Sequence, residues 1–163
     1  AKTLVLLYTA PIKEWQIVLG KYLSAFIMVS LIILLSLYMP TMILLKGNVS
    51  WGHIFAGYVG LLSLGAATTA LGTFGSAVAK NQVIAVLISA SLVFLFVIFY
   101  FLTHATEPPI KGVIGYLDLY SEHFGPTFRR GIIRMSDLVY YGSLVFVSLL
   151  GSAKVLSARR WVG

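Results

Sequence analysis

Charged residues and cysteine are what this sequence lacks. Only 10% of its 163 residues are charged and five are acidic, while 59% are hydrophobic. An average soluble domain carries about 25% charged residues, so this chain has too little polar surface to cover itself in water. The absence of cysteine excludes disulfides and thiolate metal sites. The composition therefore predicts a membrane protein rather than a soluble domain.

The few charges are mostly basic, and the net charge is +7. The basic residues stand singly between apolar runs, and no patch of them is interleaved with aromatic residues. We therefore expect no nucleic-acid partner. In a membrane protein such an excess is typical of loops that are retained on the cytoplasmic side.

Four continuous apolar runs cover residues 22–45, 54–79, 83–102 and 138–156. Each run can cross a hydrocarbon core of about 30 Å as a helix, and lipid requires backbone groups to be satisfied within each segment. The sequence predicts an all-α, polytopic integral membrane protein with four transmembrane helices. Its predicted parts are an interfacial helix region at 1–21, three transmembrane helices at 22–102, a long outer loop at 103–137, and a last transmembrane helix and tail at 138–163.

The distribution of lysine and arginine predicts the orientation. The ends that include both termini and the turn at Lys80 carry seven basic residues and one acid, and the opposite ends carry five basic residues and four acids. Most of the second set lies in the long loop, where the positive-inside rule is weaker. We expect the protein to lie in the cytoplasmic (inner) membrane, with both termini of this chain on the cytoplasmic side.

The apolar runs contain no Asp or Glu. Carriers coupled to ions or protons usually place such a residue within the membrane. If this chain takes part in transport, the energy therefore comes from elsewhere. Gly20-Lys21 does not form a phosphate-binding loop, because that motif needs Gly where Trp15 stands and Ser or Thr where Tyr22 stands.

The three histidines, His53, His104 and His123, are isolated in the sequence. A metal site needs converging ligands, usually with tighter spacing. Asp118 and Asp137 flank His123, but nothing marks a nucleophile. We expect no catalytic residue, no metal and no cofactor bound by this chain.

The second run, residues 54–79, is rich in small residues at four-residue spacing, such as Gly72 and Ser76. Small residues at that spacing let helices approach closely in lipid. Packing within the chain is the favoured interpretation, and a dimer interface or a translocation path remains open. The predicted helix-packing residues are Gly65, Ala66, Thr69, Gly72, Gly75 and Ser76.

Prolines and polar residues mark the boundaries of the spans. Pro40 should kink the first span near its outer end. In the long loop, residues 110–120 and 124–135 carry apolar residues at helical spacing, which predicts two short amphipathic helices at the outer interface. Ser136 and Asp137 are expected to cap the last span.

Residues 6–21 predict a short helix on the cytoplasmic face, followed by a bend at Gly20 and the first span. Thr9 can cap this helix, Pro11 suits its first turn, and Glu14 lies near its positive N-terminal end. Trp15 suits a membrane interface. The segment is either an interfacial anchor or a docking element for a cytoplasmic partner.

The residues of this segment resemble a known family. Thr9-Ala10-Pro11, Trp15 and the run from Ile17 to Tyr22 are similar to the ABC type-2 exporter permeases, especially the branch associated with gliding motility and copper-enzyme maturation. Stretches of the long loop before the last span resemble the same family. The resemblance implies a coupling helix that docks into an ATPase subunit. Its contact residues would be Thr9, Pro11, Ile12, Lys13, Glu14 and Trp15.

The resemblance also implies the rest of the assembly. Members of the family have six spans, so these four would be spans three to six. The chain would be the permease subunit of an ATP-driven ABC exporter, paired with a second permease in membrane lipid, while ATP and Mg²⁺ bind the partner ATPase subunits. The long loop would form a re-entrant or outer-lid element, with a membrane-lying loop without a transport role as the alternative. The predicted lid residues are Phe124, Phe128, Arg130 and Arg134.

Two other functions compete with this hypothesis. The first is a non-transporting membrane anchor or assembly subunit that binds partners through the small-residue face of the second run. The other is a small four-span multidrug carrier, against which the absence of a carboxylate in the membrane argues.

Overall fold

The computed structural model describes residues 13–44, 47, 50–108, 110–120 and 123–162, and the side chains of all of these except residues 110, 113 and 160–162. Every regular element in these ranges is helical. Four helical segments are long and apolar enough to cross a membrane, namely α1 together with α2, α3, α4 and α6. The all-α, polytopic fold predicted from the sequence is confirmed. The elements are α1 (Glu14–Leu35), α2 (Tyr38–Leu44), α3 (Trp51–Val78), α4 (Gln82–Ala105), α5 (Ile110–Leu117), a 3-10 turn (Phe128–Arg130) and α6 (Met135–Val162).

The first span is interrupted just before Pro40, where α1 ends at Leu35 and α2 begins at Tyr38. Proline has no N–H and its ring crowds the carbonyl four residues earlier, so a regular α-helix cannot continue through Ser36. The Ser36 hydroxyl donates to the carbonyl oxygen of Ile33 at 2.7 Å and lies 2.9 Å from the Tyr58 hydroxyl of α3. The predicted kink is present as this break, and a hydrogen bond ties the break to the neighbouring helix.

The predicted bend at Gly20 is absent. Residues from Glu14 to Leu35 form one unbroken α-helix, so the described part of the predicted surface helix belongs to the span itself. A glycine in a helix interior costs only about 1 kcal/mol relative to alanine. The apolar helix that continues on both sides of Gly20 is long enough to tolerate that cost.

Helix α3 occupies the centre of the bundle and packs against α1, α4 and α6. Its Ala67 and Ala70 are fully buried. Gly65 faces α1 so closely that an added Cβ would lie 3.1 Å from a methyl carbon of Val29. Small residues let helix backbones approach each other in lipid, where no hydrophobic effect drives the helices together. The many small residues of α3 thus suit a helix that packs against three neighbours.

Four serine and threonine hydroxyl groups of α3 are satisfied within the helix. Ser63, Thr68, Thr69 and Thr73 each donate to a carbonyl oxygen three or four residues earlier, over 2.7–3.1 Å. Such local hydrogen bonds let a polar side chain sit in an apolar helix without an unsatisfied donor. These four hydroxyl groups therefore need no partner on another helix.

Helix α4 approaches α3 at Ser89. The Ser89 hydroxyl donates to the carbonyl oxygen of Gly72 at 3.1 Å. A Cβ at Gly75 would lie 2.9 Å from the backbone N and Cα of Ser89, whereas a Cβ at Gly72 would meet nothing within 4 Å. The short connection through Asn81 supports this contact, because the Asn81 side chain accepts a hydrogen bond from the backbone N–H of Ile84 and caps α4.

These two glycines give a matched pair of variants. We expect Gly75→Ala to lower the stability of the folded chain by about 1–3 kcal/mol, because its new methyl group forces α3 and α4 apart. Gly72→Ala has open space and should be neutral or stabilising by up to about 1 kcal/mol. Thermal unfolding of the purified variants in detergent checks this difference. Equal midpoints for the two variants would contradict the close approach at Ser89.

Candidate functional site

Of the residues predicted to contact an ATPase, the structure describes Lys13, Glu14 and Trp15, which lie at the end of the bundle where α1 begins and α6 ends. We call this the terminal end. Thr9, Pro11 and Ile12 are outside the described residues. Lys13 directly precedes α1: its N–H donates to Oε1 of Gln16 at 3.1 Å, and its carbonyl oxygen accepts the Gln16 N–H at 2.9 Å. These two bonds fix the start of α1 at Glu14.

Trp15 lies in the first turn of α1 and is 50% exposed. Its side chain borders a cavity of about 220 Å³ between α1 and α6. Aliphatic and aromatic side chains of both helices form the walls, so this cavity is an apolar notch in which α1 and α6 meet. Its lining residues are Trp15, Val18, Leu19, Phe146, Leu149, Leu150 and Ala153.

The predicted helix-packing residues do not all face the same neighbour. Gly65 points at α1 and Gly75 at α4, and both are buried. The other four, Ala66, Thr69, Gly72 and Ser76, are half-buried. Ser76 borders a further cavity at the terminal end. The small residues of α3 therefore serve several contacts around the helix and do not form one stripe.

The long loop, residues 106–134, contains only one of the two predicted amphipathic helices. Helix α5 corresponds to the first, but the prediction for 124–135 is wrong. In the described residues from 123 onward, the chain makes turns and the 3-10 turn at Phe128–Arg130, and Gly131 then adopts a left-handed conformation with φ 78°. Pro126 has no N–H to donate and Gly131 readily takes positive φ, so both interrupt an α-helix here.

The predicted lid residues divide into two pairs. Phe128 is fully buried and Phe124 is half-buried, and both rings lie over Gly60 of α3. A Cβ at Gly60 would lie 2.6 Å from Phe128, so only glycine leaves room for this ring. The other two residues, Arg130 and Arg134, are exposed. The aromatic pair thus holds the loop against α3, while the arginines face away from the bundle.

Asp137 does not cap α6 as predicted. The helix begins at Met135, and the N–H of Asp137 already donates to the carbonyl oxygen of Arg134. The Asp137 side chain instead points into the loop, where its Oδ1 lies 3.0 Å from Nδ1 of His123. Both side chains are about 95% buried. A carboxylate so far from water needs a partner, and the imidazole supplies it.

The second ring nitrogen of His123 also faces an acceptor. Its Nε2 lies 3.3 Å from the carbonyl oxygen of Tyr116. The Asp137 carboxyl oxygen and the Tyr116 carbonyl oxygen are both acceptors, so each ring nitrogen of His123 faces an acceptor to which an N–H can donate. The ring stacks on Tyr140 at a centroid distance of 3.9 Å. The imidazole is thus held between two acceptors and an aromatic ring.

Two tyrosines of α6 extend this contact along the loop. The Tyr140 hydroxyl donates to the carbonyl oxygen of Leu117 at 3.0 Å, and the buried Tyr141 hydroxyl donates to that of Leu119 at 2.6 Å. We call His123, Asp137, Tyr140 and Tyr141 the loop clamp. It joins the first two turns of α6 to the irregular chain after α5 and satisfies carbonyl groups that no helix satisfies.

Sequence analysis missed the loop clamp, although part of its signal was present. The lone histidine of the loop and Asp137 are 14 positions apart in the sequence, and no spacing rule joins them. The adjacent Tyr140 and Tyr141 stand in an apolar run, whose pattern predicts only a transmembrane helix. Within the described ranges, no three His, Asp or Glu side chains converge to hold a metal ion.

The loop clamp is testable by stability. We expect Asp137→Ala to destabilise the folded chain by about 1–3 kcal/mol, because it leaves the buried imidazole of His123 without its hydrogen-bond partner. Asp137→Asn retains an oxygen toward His123 and should cost less. The neighbouring exposed Ser136→Ala should stay within about 0.5 kcal/mol of the wild type. Thermal unfolding in detergent provides the comparison, and an Asp137→Ala variant as stable as Ser136→Ala would refute the clamp.

Comparison with known proteins places the chain in a family. A family model described as ABC-2 family transporter protein matches residues 1–110, which is most of the chain and includes the segment ahead of α1, α1–α4 and the start of α5. No curated protein and no solved structure gives a significant match. Because this family comprises the membrane components of ABC transporters, such a chain works with an ABC ATPase subunit. The protein belongs to the ABC-2 transporter family and is a permease subunit of an ABC transporter.

Proposed function

We propose that this permease is the membrane subunit of an ATP-driven exporter in the cytoplasmic membrane. A separate ATPase subunit binds ATP and Mg²⁺, and a second permease, identical or different, completes the pathway. The main support for the proposal is the family match, which includes the segment ahead of α1 that contains most of the predicted docking residues. The branch linked to gliding motility and copper-enzyme maturation remains a prediction from the same residues.

The structure of α1 suggests how a push from the ATPase reaches the membrane. Glu14 and Trp15 form the first turn of the same unbroken helix that continues to Leu35. A displacement applied next to Glu14 therefore moves the span directly, with no intervening hinge within the helix. ATP-dependent closure of the ATPase subunits supplies such a displacement, provided that the ATPase contacts differ between the two states.

Helix α6 connects the predicted docking end with the loop. Near the terminal end it shares the apolar notch with Trp15, and at its other end it carries Asp137, Tyr140 and Tyr141 of the loop clamp. A helix of 28 residues is about 42 Å long, which exceeds the thickness of the hydrocarbon core. We propose that motion of α1 is passed through the notch to α6 and from α6 to the lid formed by the long loop.

The charge distribution supports an external energy source. No Asp or Glu lies between Trp15 and Thr106 or beyond Leu138, so the interior of the spans has no carboxylate for a coupling ion. The same lack of fixed charge favours a lipid, hydrophobic or large substrate. A complex that acts mechanically instead of transporting a substrate would use the same coupling.

A pull-down with matched variants tests the docking residues. The full-length protein is purified from native membranes in mild detergent, and co-purifying proteins are identified by mass spectrometry. We expect a Walker-motif ATPase with the wild type and its loss with Pro11→Ala combined with Glu14→Ala. The control combines Glu107→Ala with Pro108→Ala, which removes the same residue types from exposed positions at the other end of the bundle.

The outcomes separate the two parts of the proposal. If the Pro11 and Glu14 variant still co-purifies with the ATPase, the ATPase partner is supported but its contact lies at other residues. If no ATPase co-purifies under any condition, the export function fails and the non-transporting anchor replaces it. Loss of the ATPase in the control as well would point to damage of the fold rather than to a docking site.

The orientation has its own test, which the absence of cysteine makes simple. Single cysteines replace Gln82, at the start of α4, and Arg130, in the long loop; both side chains are exposed. In intact cells a membrane-impermeant maleimide should label Arg130→Cys at once, and Gln82→Cys only after permeabilisation. The reverse pattern would place the termini outside and remove the predicted docking residues from the cytoplasm.

A further inference from the structure

A second cavity at the terminal end differs from the apolar notch. It has a volume of about 310 Å³ and lies between α1, α6 and the end of α3. Lys21 of α1, Lys80 after α3 and Arg159 of α6 all line it, and no carboxylate does. Three cations from three separate parts of the chain repel one another across a shared space, so the arrangement favours an anion between them.

Arg159 is held in place by the end of α3. Its guanidinium donates to the carbonyl oxygens of Ala79, at 3.0 Å, and of Val78. These bonds satisfy carbonyls that the helix itself leaves unpaired. Arginine has five N–H donors, so these two bonds do not exhaust its capacity. The guanidinium is thus fixed at the edge of the cavity with donors remaining for a further acceptor.

No acid lines the cavity beside the two lysines. No ion pair joins Lys21 or Lys80 to a described residue, and the buried pair of His123 and Asp137 lies at the opposite end of the bundle. Both lysines are exposed as residues. Their ammonium groups are therefore available to an anion that enters the cavity.

The remaining walls of the cavity are largely apolar. Ile17 and Val18 of α1 and Leu156 of α6 contribute aliphatic side chains beside the cations. A soluble phosphate gains nothing from such walls, whereas a phospholipid carries its anionic phosphate next to apolar chains. Basic pockets between transmembrane helices are typical of anionic headgroup sites.

We propose that this cavity binds the phosphate-bearing headgroup of an anionic phospholipid, with Lys21, Lys80 and Arg159 as its ligands. The bound headgroup links α1 to α6 and to the end of α3, and the last two are already joined by Arg159. The site depends on the membrane location of the chain and not on the ATPase, so it stands or falls independently of the proposed export function.

Native mass spectrometry of the purified full-length protein tests this site. The probes are phosphatidylglycerol, phosphatidylcholine and inorganic phosphate. We expect phosphatidylglycerol to bind, phosphatidylcholine to bind more weakly, and phosphate at equal concentration not to displace the lipid. Removing two cations by Lys21→Gln with Lys80→Gln should weaken phosphatidylglycerol binding about 30-fold.

Two further variants keep the result interpretable. Lys111→Gln with Lys154→Gln removes the same charge from exposed positions that do not line the cavity, and it should bind phosphatidylglycerol like the wild type. Ser76→Leu fills the cavity while leaving the three cations in place, and it should also lose binding.

The opposite results would overturn the proposal. Unchanged phosphatidylglycerol binding in the Lys21 and Lys80 variant would show that these lysines are not ligands. An equal loss of binding in the control variant would show that the lipid responds only to the overall surface charge. Displacement by inorganic phosphate at equal concentration would make the ligand a soluble phosphate instead of a lipid. Retained binding in Ser76→Leu would place the lipid outside the cavity.

Discussion

Close approach to α3 is the constraint on which the rest of this bundle depends. Lipid offers helices no hydrophobic reason to associate, so contact must come from backbones that can come near each other. Gly65 admits Val29 of α1, Gly75 admits Ser89 of α4, and Gly60 admits Phe128 of the long loop. Each glycine serves a different neighbour, which explains why small residues are spread around α3. The serine and threonine hydroxyls cited for this helix bond to its own carbonyls, so these polar residues do not interfere with packing.

The long loop shows how irregular chain is held beside a membrane bundle. Where no helix satisfies the backbone, side chains must do so. Tyr140 and Tyr141 donate to loop carbonyls, and His123 bridges a third carbonyl to Asp137. His123 and Asp137 are tolerated there because each is the other's partner, since either buried polar group alone would be costly. Together with Phe128 in the space left by Gly60, these contacts fold the loop onto α3 and α6.

The two ends of the bundle have different electrostatics. Four of the five acids lie between residues 107 and 137, and the terminal end gathers Lys21, Lys80 and Arg159 around one cavity. The predicted orientation rests on the basic residues of this asymmetry, through the positive-inside rule. It also gives the ends different tasks in our proposals: the terminal end meets an ATPase and anionic lipid, and the loop end forms a lid. Helix α6 extends between them and contacts elements at both.

The sequence by itself determined the spans, because a continuous apolar run longer than the hydrocarbon core has few alternatives to a membrane helix. It also located the break before Pro40, which follows from the covalent structure of proline. Predictions from local sequence patterns were wrong where tertiary contacts compete with local structure. Turns replace the helix expected at 124–135, and the Asp137 side chain contacts His123 instead of capping α6. The partners of each glycine, the loop clamp and the cationic cavity were decided only by the tertiary structure. These features join residues far apart in the chain, and their pairing depends on helix packing, which no local spacing encodes.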